Sequence, residues 1–311
     1  MLARKLEYLI ALAKEGHFAR AAAACHVSQP ALSAGIQQLE HELGVPIVKR
    51  GQRFQGFTEQ GDIVLNWAQR MEMDCKNLRQ ELRDRTNHLA GTLRIGVLNS
   101  TTPFLSIFMI PFSQRFPEVN LKVMNHNPFD IQQGLEDFAF DLAISYLDDK
   151  PRRYRFSHTL YTQEYYLLTR KRSRFSPQGS VSWEDVKSLP LCLFPAETHV
   201  FGTEVYETLG GPHPGIARVE TNAMMILLDH VRTGNWASIL PKPVLFMIAG
   251  SDEFEAVPLP LTADAGAIGI AVPHREPESY LAEAFFELAT SSEVLGKFHE
   301  FFQPSPIATR R

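Results

Sequence analysis

Apolar residues Leu6, Leu9, Ile10, Leu12 and Ala13 form one broad stripe along Leu2 to Lys14, which predicts an amphipathic helix stopped by Gly16 in a left-handed cap. A short apolar segment from Phe18 to Cys25 follows. Beyond it Leu32, Ile36, Leu39 and Leu43 recur at spacings of four, three and four, so a further helix runs to Leu43. Between these two segments His26 and Val27 mark a sharp turn, and Ala22 is small where the helices must touch. Phe18 to Leu43 therefore reads as a helix-turn-helix. Ser28 suits the N-cap of its second helix, Pro30 the first turn and Gly44 the stop. His26 tolerates the left-handed backbone that such a turn often needs.

Two runs, Val45 to Val48 and Phe54 to Thr58, flank the basic stretch KRGQR from Lys49 to Arg53 and predict a β-hairpin, a wing. From Gln60 to about His88 the residues Val64, Trp67, Met71, Leu78 and Leu82 fall on one face at near-heptad spacing, with Arg70, Glu72, Arg79, Glu81, Arg83 and Asp84 elsewhere. This is one helix of ~45 Å with a single narrow apolar seam. Such a seam finds little to pack on within its own chain, which points to pairing with a second copy.

After Ala90-Gly91 the pattern changes. Strands at Leu93 to Leu98, Leu121 to Asn125 and Asp141 to Tyr146 alternate with helices at Pro103 to Phe116 and Asp130 to Phe138, a βαβαβ order that predicts a parallel sheet. Strands at Tyr165 to Thr169, Leu191 to Phe194 and Ser238 to Leu240, with helices at Thr203 to Leu209 and Met224 to Arg232, build a second α/β lobe. The run Gly266 to Val272 returns to the first lobe and leads to a helix from Pro277 to Ala289. Two lobes joined by two crossings form a clam-shell whose ligand lies in the cleft.

Length and composition fit this division: 311 residues at 44% hydrophobic exceed what one core usually holds. A net charge of −4 excludes a polycation that coats nucleic acid, so any DNA contact is local. Residues 1–60 carry seven basic and five acidic side chains, a formal +2 against −6 in the remainder. Glu7 interrupts the N-terminal apolar run, no small-residue cleavage site follows, and no run approaches the ~18 apolar residues of a membrane span. A cytoplasmic protein without a membrane partner is expected. Cys25, Cys75 and Cys192 are far apart and lack both a Cys-x-x-Cys pair and a His at metal-ligand spacing, so reduced thiols and no metal or cofactor are expected.

With Leu32, Ile36 and Leu39 turned inward, the second helix shows Gln29, Pro30, Ser33, Ala34 and Gln37 on its other face. Gln pairs with adenine through two hydrogen bonds in the major groove, Ser serves base edge or phosphate, and Pro or Ala meets a thymine methyl. Lys49, Arg50 and Arg53 on the wing suit phosphates. Ser28, Gln29, Pro30, Ser33, Ala34, Gln37, Lys49, Arg50 and Arg53 are thus the candidate contacts to double-stranded DNA. In the cleft, the first strand runs into Asn99, Ser100, Thr101, Thr102 and Pro103, where hydroxyls and a helix N-terminus favour an anion. Asn127, Pro128, Phe129, Phe201, Gly202, Thr203 and Asn222 are loop or helix-start residues facing the same small-molecule effector.

These pieces together resemble the LysR-type transcriptional regulators, which join a winged helix-turn-helix, a dimerising linker helix and a periplasmic-binding-protein-like (type 2) effector domain. The likeness is carried by AAAACHVSQPALSAGIQQLEHELGVPIVKR and FTEQG, then by TLRIGV, RFPEV, DLAI, ETN and ILP, and it covers nearly the whole chain. It implies Gln29, Pro30 and Ser33 in the major groove and Arg50 and Arg53 near phosphate. It also implies a homodimer assembled into a tetramer, DNA bending, and activation or repression of neighbouring genes, with RNA polymerase as a further partner. A fainter likeness to a branch found beside formate dehydrogenase genes suggests one-carbon metabolism. Three departures stand out. Ala34 and Gly35 follow Ser33 where the family often has Arg or Gln, which gives up a polar base contact and costs up to ~1 kcal/mol of helix propensity at Gly35. Ala223 replaces the usual Ser after ETN, making that corner less polar. Peroxide-sensing members use two nearby cysteines, and Cys192 has none close in sequence.

The expected organisation is α/β with an all-α winged helix-turn-helix domain at 1–59, a linker dimerisation helix at 60–89 and an effector-binding domain at 90–311. Within the last, lobe I covers about 91–163 and 266–295 and lobe II about 164–265. A cytoplasmic small-solute binding protein without DNA-regulated output is the competing reading. An enzyme is not expected: no G-x-S-x-G, H-E-x-x-H, phosphate-loop or dinucleotide fingerprint is present, Cys192 and His199 are only a loose pair, and no catalytic residue is assigned.

Overall fold

The computed structural model describes residues 2–49, 54–84, 89–147, 154–173, 181–195, 203–210, 217–260, 266–275 and 278–303. The chain divides into two compact units, 1–87 and 88–311.

In the first unit α1 (Leu2–Glu15), α2 (Phe18–Ala24) and α3 (Gln29–Leu43) pack around Leu12, Ala21, Ala22, Leu32 and Ile36, as the apolar spacing requires. Gly16 and Gly44 stop α1 and α3 at φ +60° and +69°, and His26 makes the turn at φ +54°. Leu43 departs from the inward stripe: it is 43% exposed. Gly35 is buried, and a Cβ there would stand 2.7 Å from the Tyr8 ring, so the glycine lets α1 and α3 approach. It is a packing position and gives up no base contact, which corrects the expectation drawn from its place after Ser33. A helical wheel cannot see Tyr8.

The hairpin is held by an antiparallel bridge between Val48 and Phe57 and by Lys49 N–H donating to the Gly56 carbonyl (3.1 Å). Its tip, 50–53, lies outside the described residues. Thr58 then caps α4 (Glu59–Asp84): its Oγ1 accepts from Gly61 N (2.9 Å) and donates to the Pro46 carbonyl (2.6 Å). Val64, Leu65 and Ala68 of α4 join Leu6, Leu9, Leu39 and Ile47 in a second small core. The predicted seam is therefore rotated. Val64 belongs to the inner face, and the exposed stripe is Ile63, Trp67 and Met71, at 59%, 59% and 43% exposure. The side chains of Leu78 and Leu82 lie outside the described residues.

In the second unit β1 (Gly91–Val97), β2 (Val119–Asn125) and β3 (Leu142–Tyr146) are parallel, as predicted. The returning strand β10 (Ala267–Pro273) lies antiparallel between β3 and β4 (Tyr154–Thr162), in the order β2-β1-β3-β10-β4. Helices α5 (Leu105–Arg115), α6 (Pro128–Glu136), α11 (Tyr280–Ala289) and α12 (Ser292–Phe302) accompany this sheet. Its main core contains Ile95, Phe104, Phe108, Phe112, Ile144, Ile270, Phe285 and Phe298. Phe298 carries the core past residue 295, where the sequence pattern closes lobe I.

The second lobe contains β5 (Tyr165–Arg170), α7 (Trp183–Lys187), β6 (Leu191–Leu193), α8 (Thr203–Leu209), β7 (Ala217–Glu220), α9 (Met224–Arg232), β8 (Ser238–Pro241), α10 (Lys242–Leu245) and β9 (Phe254–Pro258). One antiparallel sheet runs β8-β5-β9, and β6 pairs with β7 in parallel. The sequence pattern does not predict strands β4, β7 and β9; β4 buries only Leu160 and lies at a sheet edge among the described residues, so it carries no clear alternation.

At the N-terminal end of β3, Asp141 accepts from Arg94 N (2.8 Å) and Nε (3.2 Å) on Oδ2, and from Arg94 Nη2 (3.0 Å) and Arg275 Nη2 (2.9 Å) on Oδ1. The DLAI motif thus begins on the counter-charge of two guanidiniums.

Candidate DNA interface and effector cleft

Ser28 is the N-cap of α3, its side chain accepting from Ala31 N at 3.3 Å, and Pro30 stands in the first turn. This fixes which face looks outward. Gln29, Pro30, Ala31, Ala34, Gln37, Gln38 and His41 are exposed, and Ser33 is half-buried on the flank toward the hairpin. A groove of ≈ 840 Å³ between α3 and the hairpin is lined by Phe18, Ser33, Gln37, Glu40, His41 and Lys49 with their apolar neighbours. Lys49 is exposed at its edge. Arg50 and Arg53 lie outside the described residues. Gln38, Glu40 and His41 were not singled out from the sequence; the orientation of α3 follows from the periodicity, whereas the groove follows only from the fold.

Glu40 has a distinct position in this groove. Its carbonyl accepts from Gly44 N and from Val45 N (3.2 Å), and its carboxylate Oε1 accepts from Ile47 N (2.7 Å) and Val48 N (3.0 Å). Lys5, by contrast, pairs with Glu42, whose carboxyl is held below its usual range first by the hydrogen bond from Lys5.

In the second unit, residues 99–104 form a 3₁₀ turn, and α5 begins at Leu105, two residues later than the spacing suggests. The turn folds its own hydroxyls back. Thr101 Oγ1 donates to the Leu98 carbonyl (2.7 Å) and Thr102 Oγ1 to the Asn99 carbonyl (2.8 Å). Thr101 is fully buried and Ser100 nearly so, beside α10. Three convergent hydroxyl donors are thereby reduced to one, Ser100, because a hydroxyl has a single proton to give. Asn99 is exposed and accepts from Asn125 Nδ2 (2.9 Å) through its Oδ1.

Asn127 caps α6 through Asp130 N (2.8 Å), Pro128 follows at the first helical positions, and the Phe129 ring is 70% exposed. Asn222 is exposed before α9, where Ala223 offers no side-chain cap. Among the described residues Phe129 and Asn222 share no hydrogen bond or ring contact with the 99–104 turn. Phe201 and Gly202 lie outside the described residues, as does the side chain of Thr203.

Cys192, in β6, is fully buried, and burial pushes its thiol up to about 11. Cys25 is half-buried and also raised, mainly by burial, while Cys75 is exposed. Among the described residues no cluster of His, Cys, Asp or Glu is arranged to hold a metal ion, and no helix is long and apolar enough to cross a membrane.

Comparison with known proteins matches both units. The DNA-binding transcriptional dual regulator OxyR of Escherichia coli K12 is 35% identical over 142 residues, 45% of this chain and 47% of that protein. A probable RuBisCO transcriptional regulator of Synechocystis is 36% identical over 141 residues, 45% of this chain and 41% of that protein. The chain thus spans about half the length of the curated relatives it matches. Among solved structures, a cysteine-to-aspartate variant of full-length OxyR from Pseudomonas aeruginosa has a TM-score of 0.67 at 25% identity, covering 97% of this chain and 96% of that one. Full-length CbnR complexed with its target DNA has a TM-score of 0.63 at 22% identity, over 93% of this chain and 98% of that one, a likeness of fold. The model for bacterial regulatory helix-turn-helix proteins of the lysR family matches residues 3–62. The LysR substrate binding domain matches residues 86–292, and the chain belongs to the LysR family of transcriptional regulators.

Proposed function

We propose that the chain is a sequence-specific DNA-binding transcription regulator whose 88–311 unit binds a small-molecule effector and so changes DNA binding or bending, activating or repressing transcription. The observation that carries this is the outward face of α3. Gln29 and Gln37 offer amides for an adenine edge, Pro30 and Ala34 offer apolar contact for a thymine methyl, and Lys49 stands across the groove for phosphate. Ser28, Ser33, Arg50 and Arg53 complete the proposed contact set.

The exposed Ile63, Trp67 and Met71 stripe supports a dimer through α4. Two reading heads then match a two-fold-related DNA site. Assembly into a tetramer, contact with RNA polymerase and a cytoplasmic setting belong to the same proposal.

The effector is proposed to be a small carboxylate or another oxyanion, held near Ser100 and the Asn99–Asn125 amides and bounded by Phe129 and Asn222. Its binding shifts the population of lobe arrangements.

Selection from random duplexes tests the DNA reading. Gln29→Ala is expected to change base preference, while Lys49→Ala weakens all duplexes alike and reduces the salt slope by about 1. If both variants keep wild-type affinity and preference, the reading fails.

Several relatives carry names tied to hydrogen peroxide. In this chain Cys192 is fully buried and protonated at neutral pH, and a thiol in that state is a poor nucleophile. Iodoacetamide at pH 7 is expected to leave Cys192 unmodified in the folded chain and to label it only after unfolding. Rapid native labelling, or sulfenic acid at Cys192 after peroxide treatment, would restore a peroxide-sensing function.

A further inference from the structure

Gly44, Val45, Ile47 and Val48 supply every backbone N–H between the end of α3 and the hairpin bridge, because Pro46 has none. All four go to one residue. The Glu40 carbonyl takes Gly44 and Val45, and the Glu40 carboxylate takes Ile47 and Val48. The first pair is a helix stop of a common kind. The second pair is not, since a side chain on α3 reaches across and fixes the first strand of the hairpin. Among the described residues Glu40 makes no ion pair.

A carboxylate in a groove that borders the proposed phosphate contacts opposes DNA electrostatically. Its two backbone bonds account for its presence. We propose that Glu40 is a positioning residue for DNA binding, locking the first strand of the wing in register with the recognition helix so that Lys49 meets a phosphate flanking the bases read by α3. The proposal rests on the DNA-binding reading and adds the coupling between its two parts. Helix and wing then act as one rigid reader.

The test uses the full chain and the duplex it selects, with affinity measured across a salt series. Glu40→Ala is expected to lose at least tenfold in affinity and to flatten the slope of log K against log salt by about 1, the contribution of one phosphate contact. The base preference set by Gln29 should be unchanged. Glu40→Gln keeps the acceptor oxygen and is expected within about threefold of wild type. Glu40→Asp keeps the charge but shortens the reach, and should behave like Glu40→Ala. If Glu40→Ala does not fold, the Gln and Asp variants carry the comparison. A wild-type salt slope in Glu40→Ala or Glu40→Asp, or an equal loss in Glu40→Gln, overturns the proposal. Failure of the wild-type chain to select any duplex would instead remove the DNA-binding reading.

Discussion

Asp141→Ala is expected to lower the unfolding free energy of the 88–311 unit by about 3–5 kcal/mol, the range for removing one partner of a buried charge cluster. Asp141 and Arg275 have side chains only 4% and 5% exposed, and Arg94 is 24% exposed. The carboxylate receives four hydrogen bonds, three from Arg94 and one from Arg275. Among the described residues Arg275 Nε and Nη1 are buried without a hydrogen-bond partner, and Asp141 is the group that balances this guanidinium. Arginine cannot shed its proton, and Asp141→Ala leaves its charge buried and uncompensated. A domain typically holds only about 5–15 kcal/mol in all, so much of the unit's margin would go. Denaturant unfolding checks this: the transition of the 88–311 unit should move and that of the 1–87 unit should not. A loss below about 1 kcal/mol would mean that water or another acceptor already serves the two guanidiniums.

Gly61→Ala should disrupt the other unit most among small changes. A Cβ at Gly61 would lie 2.1 Å from the Ile47 carbonyl oxygen, 2.9 Å from its carbon and 3.1 Å from Phe57 Cβ. Those first two atoms are backbone, and the same oxygen accepts from Thr58 N at 2.9 Å, so no flexible side chain can move aside. Either α4 shifts away from residue 47 or the Thr58 cap opens. Overpacking of this kind costs about 1–3 kcal/mol, and the displaced hairpin should also weaken DNA binding. Gly296→Ala is the control: it lies within α12 with nothing within 4 Å of its Cβ, and gains up to about 1 kcal/mol of helix propensity. Equal stability of Gly61→Ala and wild type would show that the joint between hairpin and α4 adjusts freely.

Much of the architecture was legible because its signals are local. Ser28, Gly44 and the Leu32–Ile36–Leu39 spacing define α3 without reference to any other element, and the alternation of strands and helices from Leu93 to Tyr146 gives the parallel sheet. The readings that changed depend on a partner distant in sequence. Gly35 looks like a lost contact until Tyr8 is set against it. Val64 looks like part of an intermolecular seam until α1 covers it. Thr101 and Thr102 look like ligand donors because their types are right, but the tighter 3₁₀ turn carries their hydroxyls back onto Leu98 and Asn99. Glu40 is one of five acidic residues in the first 60, and nothing in its neighbours marks it. Its role needs the 40-to-48 contact.

The place of β10 between β3 and β4 also has a consequence for how the chain is made. Residues 267–273 supply the strand that joins β3 to β4 in a sheet whose other strands end by residue 162, and Phe298 belongs to the same core. During synthesis the 1–87 unit is complete early, and the second lobe can pair β5, β8 and β9 within itself. The sheet that begins at Gly91 stays open until residues 267–273 have left the ribosome. The 1–87 unit is thus finished well before the sheet of the 88–311 unit can close around β10.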